Sequence, residues 1–436
     1  MHIAEPAGQA YADRYPLMSD NLLRSASLAA VVLLWAAMPA VAQTPVTDCT
    51  PHSYPQRTDQ SLAIDPFDDR IVYIGVEGEG YFKTTNDGHT WTRVVDGLRA
   101  FQKRSGGLCY SEFFDTIIHP ANPQHVCIAL AGSPGTLDVI QAAYQGVYCS
   151  TDGGEHWTQR VGAGMNTAIY ALAFDPADSQ IIYAGSNANP ASFSGADPNR
   201  LFNTVGVLHK TTDGGLTWTE LPTGLIRGTR VTGIRVDPVN RGTVYASTFG
   251  LGSNGGNNYL PTQFGVFKST DSGATWTSMK NGLGTELRHQ AIFRLDLSPR
   301  NPSLLAVAVA DGSYYLSRDG ASTFARPTSP SNQQGIMRFD PTDSTGQRMV
   351  GLSQSGTHAV ESLDGGNTWR TLGPLPADTL NNGDPSRPTG VRPSDIEISR
   401  QNPRIMYLSG SHASVYRTSD GGATWTKILS ASTLPN

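Results

Sequence analysis

The sequence has little charge and few cysteines, and its apolar residues form only one long run. Charged residues make up 16% of the 436-residue chain, whose formal net charge is −5. Because there is no excess of lysine and arginine to neutralise phosphates, we expect no nucleic-acid partner. A hydrophobic content of 38% excludes a disordered polyelectrolyte. The chain is instead rich in glycine and proline, with 46 and 28 residues, which indicates many turns.

The long apolar run, Leu28–Met38, is too short to cross a bilayer, which takes about 20 residues. Arg24 precedes the run, and small residues stand before a cleavage position at Gln43. This pattern predicts a signal peptide over residues 1–42, with Met18 as an alternative start. We therefore expect an exported protein, periplasmic or secreted, with no membrane span after cleavage of the signal.

One eight-residue motif, S/T-x-D/N-x-G-x-T-W, recurs seven times at intervals of 45 to 66 residues. The copies are Thr84–Trp91, Ser150–Trp157, Thr211–Trp218, Ser269–Trp276, Ser317–Phe324, Ser362–Trp369 and Thr418–Trp425. Three short strands, A to C, precede each motif and a strand D follows it. In the third unit these strands are predicted at Ala171–Phe174, Ile181–Gly185, Gly206–Lys210 and Thr217–Leu221.

Seven such units predict an all-β fold, a seven-bladed β-propeller of four-stranded antiparallel blades. The propeller is expected over residues 61–430, between an N-terminal extension at 43–60 and a C-terminal tail at 431–436. Six of the seven tryptophans end a motif, and the remaining one, Trp35, lies in the signal peptide. We expect these motif tryptophans to anchor each C–D hairpin in the apolar layer between blades.

The motif resembles the Asp box, or BNR repeat, and its surroundings resemble the propellers of xyloglucanases and sortilin-type receptors. The resemblance covers nearly the whole chain after the signal peptide and implies an Asp box in each C–D turn. Asp boxes occur in hydrolases, receptors and assembly factors, so the resemblance does not fix an activity. We expect the third residue of each motif to be structural, because its side chain can accept backbone hydrogen bonds within the turn. These residues are Asn86, Asp152, Asp213, Asp271, Asp319, Asp364 and Asp420.

Strand direction predicts two different rims. The A–B turns and the eight-residue motifs must lie at one end of the ring, which we call the turn rim. The B–C and D–A connections must lie at the opposite end, which we call the loop rim. The long connections belong to the loop rim: Ser133–Gln145, Ala188–Thr204, Leu251–Gln263, Gly97–Glu112, Asn281–Gln290 and Thr371–Ser394. Since recognition is usually carried by such loops, we expect ligand binding there. The candidate ligand-binding residues are Tyr110, Tyr144, Phe193, Phe202, Tyr259 and Arg294.

Four cysteines in an oxidising compartment favour disulfides, and their spacing does not indicate a metal site. The strand order places Cys127 and Cys149 next to each other in one antiparallel hairpin, which favours a bond between them. A Cys49–Cys109 bond would then tie the N-terminal segment to the loop between blades 1 and 2. No metal and no cofactor are predicted.

Charged residues of the A strands are the chemical candidates. Two residues before the A–B turn, blades 4 to 7 carry Arg235, Asp296, Arg338 and Glu397, which predicts an inter-blade ion-pair ring around the axis. An alternative makes Asp296 and Glu397 an acid/base pair. Four residues before the turn stand Asp115, Arg294 and Asp395, which with Glu77 and Tyr110 could line the mouth of the channel.

The first hypothesis for function is an exported binding module that recognises a glycan or a protein on the loop rim. The alternative is a glycoside hydrolase, which needs two carboxylates, here from Asp115, Asp395 and Glu77. Glu77 lies in VYIGVEGEGYF, which resembles the xyloglucanase stretch that bears a catalytic aspartate. Xyloglucanases, however, use two tandem propellers, and this sequence encodes one. A second alternative is an envelope assembly factor, and we expect a monomer whose partner is a polysaccharide or an envelope or extracellular protein.

Overall fold

The computed structural model describes residues 46–47, 61–103, 106–131, 144–161, 168–186, 208–222, 229–250, 265–284, 292–309, 313–327, 333–353, 357–376, 393–410 and 413–435. Within these ranges the regular secondary structure is all β-strand, apart from a single 3₁₀ turn at Ala431–Thr433. None of the helical segments described is both long enough and apolar enough to cross a bilayer. The predicted signal peptide lies outside the described residues.

Seven antiparallel sheets follow one another along the chain as blades, each built in the order A-B-C-D. Blades 1 to 3 consist of β2–β5 (Ala63–Ile64, Val72–Val76, Gly80–Thr84, Thr92–Arg93), β8–β11 (Glu112–His119, Asn122–Ala131, Gly146–Ser150, Thr158–Gln159) and β12–β15 (Ile169–Asp175, Asp178–Ser186, Leu208–Thr211, Thr219–Glu220). Blades 4 and 5 consist of β16–β19 (Thr229–Val236, Val244–Gly250, Gly265–Ser269, Thr277–Met279) and β20–β22 (Ile292–Leu297, Leu305–Val309, Tyr314–Ser317). Blades 6 and 7 consist of β23–β26 (Gln333–Phe339, Met349–Ser353, His358–Ser362, Arg370–Pro374) and β27–β30 (Pro393–Ile398, Met406–Gly410, Ser414–Thr418, Thr426–Leu429).

This arrangement confirms the seven-bladed propeller. Apolar strands such as β3 and β24 are buried along their whole length because neighbouring blades cover both of their faces. The outer D strands are less buried, and both residues of β15 are exposed. Blade 5 differs from the predicted four strands, because its outer strand is reduced to one bridge between Leu316 and Ala325.

The backbone hydrogen bonds show that the motifs and the A–B turns share one rim. In every blade, an N–H of the eight-residue motif donates to a carbonyl of the A–B turn or of the first residues of strand B in the same blade. The pairs are Asp87–Arg70, Gly153–Gln124, Gly214–Gln180, Ser272–Gly242, Gly320–Ser303, Gly365–Gln347 and Gly421–Arg404, at 2.8 to 3.2 Å. The turn rim predicted from strand direction is therefore present in all seven blades.

Inside each motif, the first and third side chains organise the turn, as blade 2 illustrates. The hydroxyl of Ser150 accepts the N–H of Gly154 at 2.7 Å and donates to Oδ1 of Asp152 at 2.7 Å. The same carboxylate accepts the N–H of His156 at 3.0 Å, which contributes most to holding the pKa of Asp152 below its usual range. Gly154 has φ of +90°, a conformation that favours glycine. In this motif, the side chains of Ser150 and Asp152 thus accept backbone N–H groups of the turn.

Side-chain hydrogen bonds also join the motif of blade 2 to the neighbouring blade 1. The Trp157 ring is 4% exposed, and its Nε1 donates to the carbonyl of Val94 in blade 1 at 3.0 Å. From blade 1, the Tyr73 hydroxyl and the Lys83 ammonium both donate to the Gly153 carbonyl, at 2.9 and 2.8 Å. The tryptophan therefore lies between blades, as expected.

The ring closes where blade 7 meets blade 1. Arg417 pairs with Asp87 at 2.7 Å, and the Gln401 side chain donates to the Pro66 carbonyl at 2.7 Å. An apolar cluster that includes Leu62 and side chains of blade 7 fills the space between the two sheets. Among the described residues, side-chain contacts and not a shared strand thus join the first blade to the last.

A disulfide joins Cys127 and Cys149, which are directly paired across strands β9 and β10. A small extra sheet places β1 (Val46–Thr47) parallel to β6 (Phe101–Lys103), which pairs in turn with β7 (Leu108–Cys109). The N-terminal segment therefore lies beside the loop between blades 1 and 2. Cys49 is outside the described residues, and the Cys49–Cys109 bond stays a prediction.

Candidate functional site

An axial channel runs between the seven A strands and forms a cavity of about 430 Å³. All seven residues that stand two positions before the A–B turns line it: Ala63, Ile117, Ala173, Arg235, Asp296, Arg338 and Glu397. Six prolines of the A–B turns surround its opening at the turn rim: Pro66, Pro120, Pro176, Pro238, Pro299 and Pro341. In the seventh blade, Arg400 lines this opening.

The walls of the channel differ in polarity. Blades 1 to 3 contribute small or apolar side chains at this level, whereas blades 4 to 7 contribute alternating charges. Arg235 Nε lies 3.3 Å from Asp296, and Arg338 Nε lies 2.9 Å from Glu397. Ion pairs between neighbouring blades thus form between blades 4 and 5 and between blades 6 and 7, but among the described residues they are two separate pairs and not the predicted ring.

Asp395 is fixed by two arginines and is not among the residues that line the cavity. Its Oδ1 lies 3.1 Å from Arg294 and 2.9 Å from Arg338, and the residue is 1% exposed. Asp395 and Arg294 therefore form a buried ion pair between blades and do not line an open mouth of the channel.

Asp115, by contrast, lines the channel. Its Oδ2 accepts the N–H of Leu172 from blade 3 at 2.8 Å. Burial raises the pKa of Asp115 to about 6, an effect that this hydrogen bond and the charges of Arg235 and Arg338 only partly oppose. In the same channel, burial also raises the pKa of Glu397 against the effect of its Arg338 partner. These two carboxyls have the environments best suited to exchange a proton near neutral pH.

We expect Asp115→Asn to stabilise the protein at neutral pH. The pKa of Asp115 in the folded protein lies above the usual value of 3.8. The stability that protonation of Asp115 contributes is therefore fully present below pH 3.8 and is lost as the pH rises through about 6. The variant should therefore be about 2–3 kcal/mol more stable than the wild type at pH 7.5, and the two should converge near pH 4. Urea unfolding from pH 4 to 7.5 measures the difference. A constant difference over that range would contradict this account of Asp115.

Glu77 and Tyr110 lie together on the loop side of blade 1, apart from the channel cavity. The N–H of Gly78 donates to the Tyr110 carbonyl at 3.2 Å, and Glu77 is 1% exposed. The guanidinium of Arg93 lies 5.2 Å from the centroid of the Tyr110 ring. The structure therefore brings these two candidates together but does not join them to Asp115 in one cavity.

The remaining candidates are mostly in the long connections. Tyr144 stacks on Phe101 with ring centroids 4.3 Å apart. Phe193, Phe202 and Tyr259 lie outside the described residues, as do most residues of the long loops.

Two aromatic groups that the sequence analysis missed lie at the loop ends of strands A and B. Phe114 packs on Tyr170 at 4.3 Å, and the guanidinium of Arg230 lies 4.1 Å from the Tyr170 ring centroid. Phe249 packs on Phe293 at 4.6 Å, and Phe293 is 44% exposed. The signal was present, because the residue five positions before the A–B turn is aromatic in blades 2, 3 and 5.

A possible metal-ligand group occurs in blade 2, where donor atoms of His125, Cys127 and Cys149 lie within 4.8 Å of one another. Both sulfurs belong to the disulfide, so they are not thiolates and do not act as metal ligands. Burial lowers the pKa of His125 to about 4. With the disulfide formed, His125 alone offers a donor in this group.

The comparisons with known proteins agree with the fold. No family model matches the chain. It is 25% identical over 309 residues to a xyloglucanase of Paenibacillus sp, covering 62% of this chain and 27% of that enzyme. It is 24% identical over 306 residues to xyloglucanase Xgh74A of Acetivibrio thermocellus, covering 60% of this chain and 32% of that one. The matched region thus spans about a third or less of these curated relatives.

Among solved structures, an ancestral GH74 enzyme superposes with a TM-score of 0.59 at 18% identity, over 86% of this chain and 47% of that one. YCF48 from Cyanidioschyzon merolae superposes with a TM-score of 0.52 at 13% identity, over 85% of this chain and 97% of that one. At these identities the likeness concerns the fold. The chain is a seven-bladed β-propeller that resembles a glycoside hydrolase propeller of the xyloglucanase type.

Proposed function

We propose that the protein binds a polysaccharide at its loop rim through exposed aromatic rings. The observation that carries this proposal is the Phe249–Phe293 pair, because Phe293 is 44% exposed and its ring is backed by a second ring. Flat aromatic faces accept the apolar C–H faces of sugar rings, and a backed ring loses little conformational entropy on binding.

A second group on the same rim extends this surface. Tyr170 is held between Phe114 and the guanidinium of Arg230, so ring and cation are positioned together. Arginine offers several N–H donors for hydroxyl oxygens, and tyrosine presents an apolar ring with a polar end. Stacking surfaces with a few placed donors are the usual composition of a sugar site.

The xyloglucanase relatives support a glucan as the ligand to test first. Affinity electrophoresis and calorimetry with soluble xyloglucan should show binding by the wild type. Phe293→Ala should weaken binding about tenfold, which corresponds to about 1.4 kcal/mol.

Phe67→Ala is the matched control, because Phe67 is 57% exposed but lies next to an A–B turn on the turn rim. This variant should bind xyloglucan as the wild type does. Equal losses in both variants, or unchanged binding by Phe293→Ala, would contradict the proposed surface.

Hydrolysis is the second candidate function, and the raised pKa of Asp115 within the channel favours it. A glycosidase needs a partner carboxylate about 5–10 Å away. Asp395 suits that role poorly because Arg294 and Arg338 hold it. Release of reducing ends from xyloglucan by the wild type, and its loss in Asp115→Asn, would establish turnover; binding without release would leave the protein a binding module.

A further inference from the structure

One arginine joins the two aromatic groups at the loop rim. Strand pairing places Arg230 directly opposite Phe249 in blade 4, so the two side chains project from the same face of the sheet. The guanidinium of Arg230 also lies 4.1 Å from the centroid of the Tyr170 ring in blade 3. Phe114 of blade 2 packs on Tyr170, and Phe293 of blade 5 packs on Phe249. These five side chains form one row over blades 2 to 5, here called the aromatic row, with the cation inside it.

The guanidinium of Arg230 is positioned but not neutralised. Its Nε is buried and has no hydrogen-bond partner, and in the part of the chain that the structure describes the group forms no hydrogen bond and no ion pair. Arg294 and Arg338, by contrast, are each paired with a carboxylate. Arg230 is half-buried, and the face of the Tyr170 ring fixes the plane of its guanidinium by a cation–π contact. Its outer N–H groups are therefore available to a ligand at the loop rim.

A sugar carboxylate suits this group better than a sugar hydroxyl does. The two oxygens of a carboxylate accept two parallel N–H donors of one guanidinium, and such charge-assisted hydrogen bonds are about twice as strong as neutral ones. A neutral glucan offers only hydroxyl groups. The rings of Tyr170 and Phe249 lie on either side of Arg230 and can stack on neighbouring sugars. The aromatic row thus suits a sugar chain in which a carboxylate stands between stacked rings.

We propose that the aromatic row binds an acidic polysaccharide, one that carries carboxylates on its sugars, and that Arg230 sets this preference. The inference rests on the polysaccharide surface proposed above and names its substrate class. The carboxylate pairs with the guanidinium of Arg230, and the flanking sugars lie on the aromatic rings. The formal net charge of the chain is −5, which provides no general attraction for a polyanion. A preference for an acidic polymer would therefore have a local origin.

Carboxymethyl cellulose is the acidic probe, and hydroxyethyl cellulose is its neutral counterpart with the same glucan backbone. Isothermal titration calorimetry of the full chain, at physiological ionic strength, should show about tenfold tighter binding of the acidic polymer. Arg230→Gln keeps an N–H donor but removes the charge. It should weaken binding of carboxymethyl cellulose about tenfold and change binding of hydroxyethyl cellulose less than about twofold. Arg230→Lys should keep part of the preference, and Phe293→Ala should weaken binding of both polymers.

Arg93→Gln is the matched control, because the Arg93 guanidinium also lies over a tyrosine ring, that of Tyr110, but in blade 1 and outside the aromatic row. This variant should bind both polymers as the wild type does. Equal binding of the two polymers, an unchanged preference in Arg230→Gln, or the same loss in Arg93→Gln would each overturn the proposal.

The same titrations separate this proposal from the one on which it rests. If both polymers bind equally and Phe293→Ala weakens both, the polysaccharide surface is supported and the acidic preference is wrong. If neither polymer binds and xyloglucan does not bind either, both proposals are wrong. Circular dichroism spectra of the variants establish that any loss concerns the site and not the fold.

Discussion

Replacing Asp395 with alanine should lower the free energy of unfolding by about 3–5 kcal/mol. The carboxylate is 1% exposed and lies 3.1 and 2.9 Å from the guanidinium groups of Arg294 and Arg338. Without it, two buried cations from blades 5 and 6 face each other with one fewer counter-charge. Urea unfolding followed by tryptophan fluorescence measures the loss.

The exposed pair between Arg70 and Asp68 supplies the control, since its side chains are 62% and 31% exposed. Asp68→Ala should cost less than about 1 kcal/mol, because water solvates both groups after the change. Asp395→Asn, which preserves the shape of the side chain, should still cost most of the stability. If Asp395→Ala is as stable as Asp68→Ala, then the ion pairs of Asp395 with the two arginines do not contribute to the free energy of unfolding, and the prediction is wrong.

Replacing Trp157 with alanine should cost about 3–5 kcal/mol as well, by opening a cavity between blades 1 and 2. The Trp157 ring is 4% exposed and meets the Tyr81 ring edge to face, with the ring centroids 5.2 Å apart. Its Nε1 donates a hydrogen bond to the Val94 carbonyl. The expected loss combines the apolar area of a large ring with one buried hydrogen bond. The midpoint of urea unfolding should fall accordingly.

Trp157→Phe should recover part of this loss, because it restores apolar volume but not the Nε1 donor. Leu216→Ala, in the corresponding motif of blade 3, is the matched control, since Leu216 is 66% exposed. That variant should be within about 0.5 kcal/mol of the wild type. A Trp157→Ala protein that unfolds at the wild-type midpoint would show that the ring does not fasten adjacent blades.

The architecture was accessible from the sequence because its signals recur. Seven copies of one turn motif fix the number of blades, and the direction of each strand then fixes which connections share a rim. The alternation of Arg235, Asp296, Arg338 and Glu397 predicted ion pairs because equivalent positions of neighbouring blades meet at the axis. The Cys127–Cys149 bond followed from the same map of strands.

The site was less accessible, because it depends on where individual strands depart from regularity. Bulges interrupt the pairing of strand A between Phe113 and Asp115, and between Ile292 and Arg294. A bulge redirects the side chains on either side of it, so alternation alone does not predict that Phe114 or Phe293 packs at the loop end. The two arginines around Asp395 were likewise unpredictable, since Arg294 belongs to blade 5, which does not neighbour blade 7, and Arg338 stands at a different position of its A strand.

The contact between blades 7 and 1 bears on where the chain termini can lie. Each of the seven blade sheets, including the first and the last, consists of strands that follow one another in the chain, and contacts such as Arg417–Asp87 join blade 7 to blade 1. Each boundary between blades is therefore topologically equivalent to this one. A circular permutant, in which a linker joins blade 7 to blade 1 and the new termini lie between two other blades, would therefore form the same seven-bladed propeller.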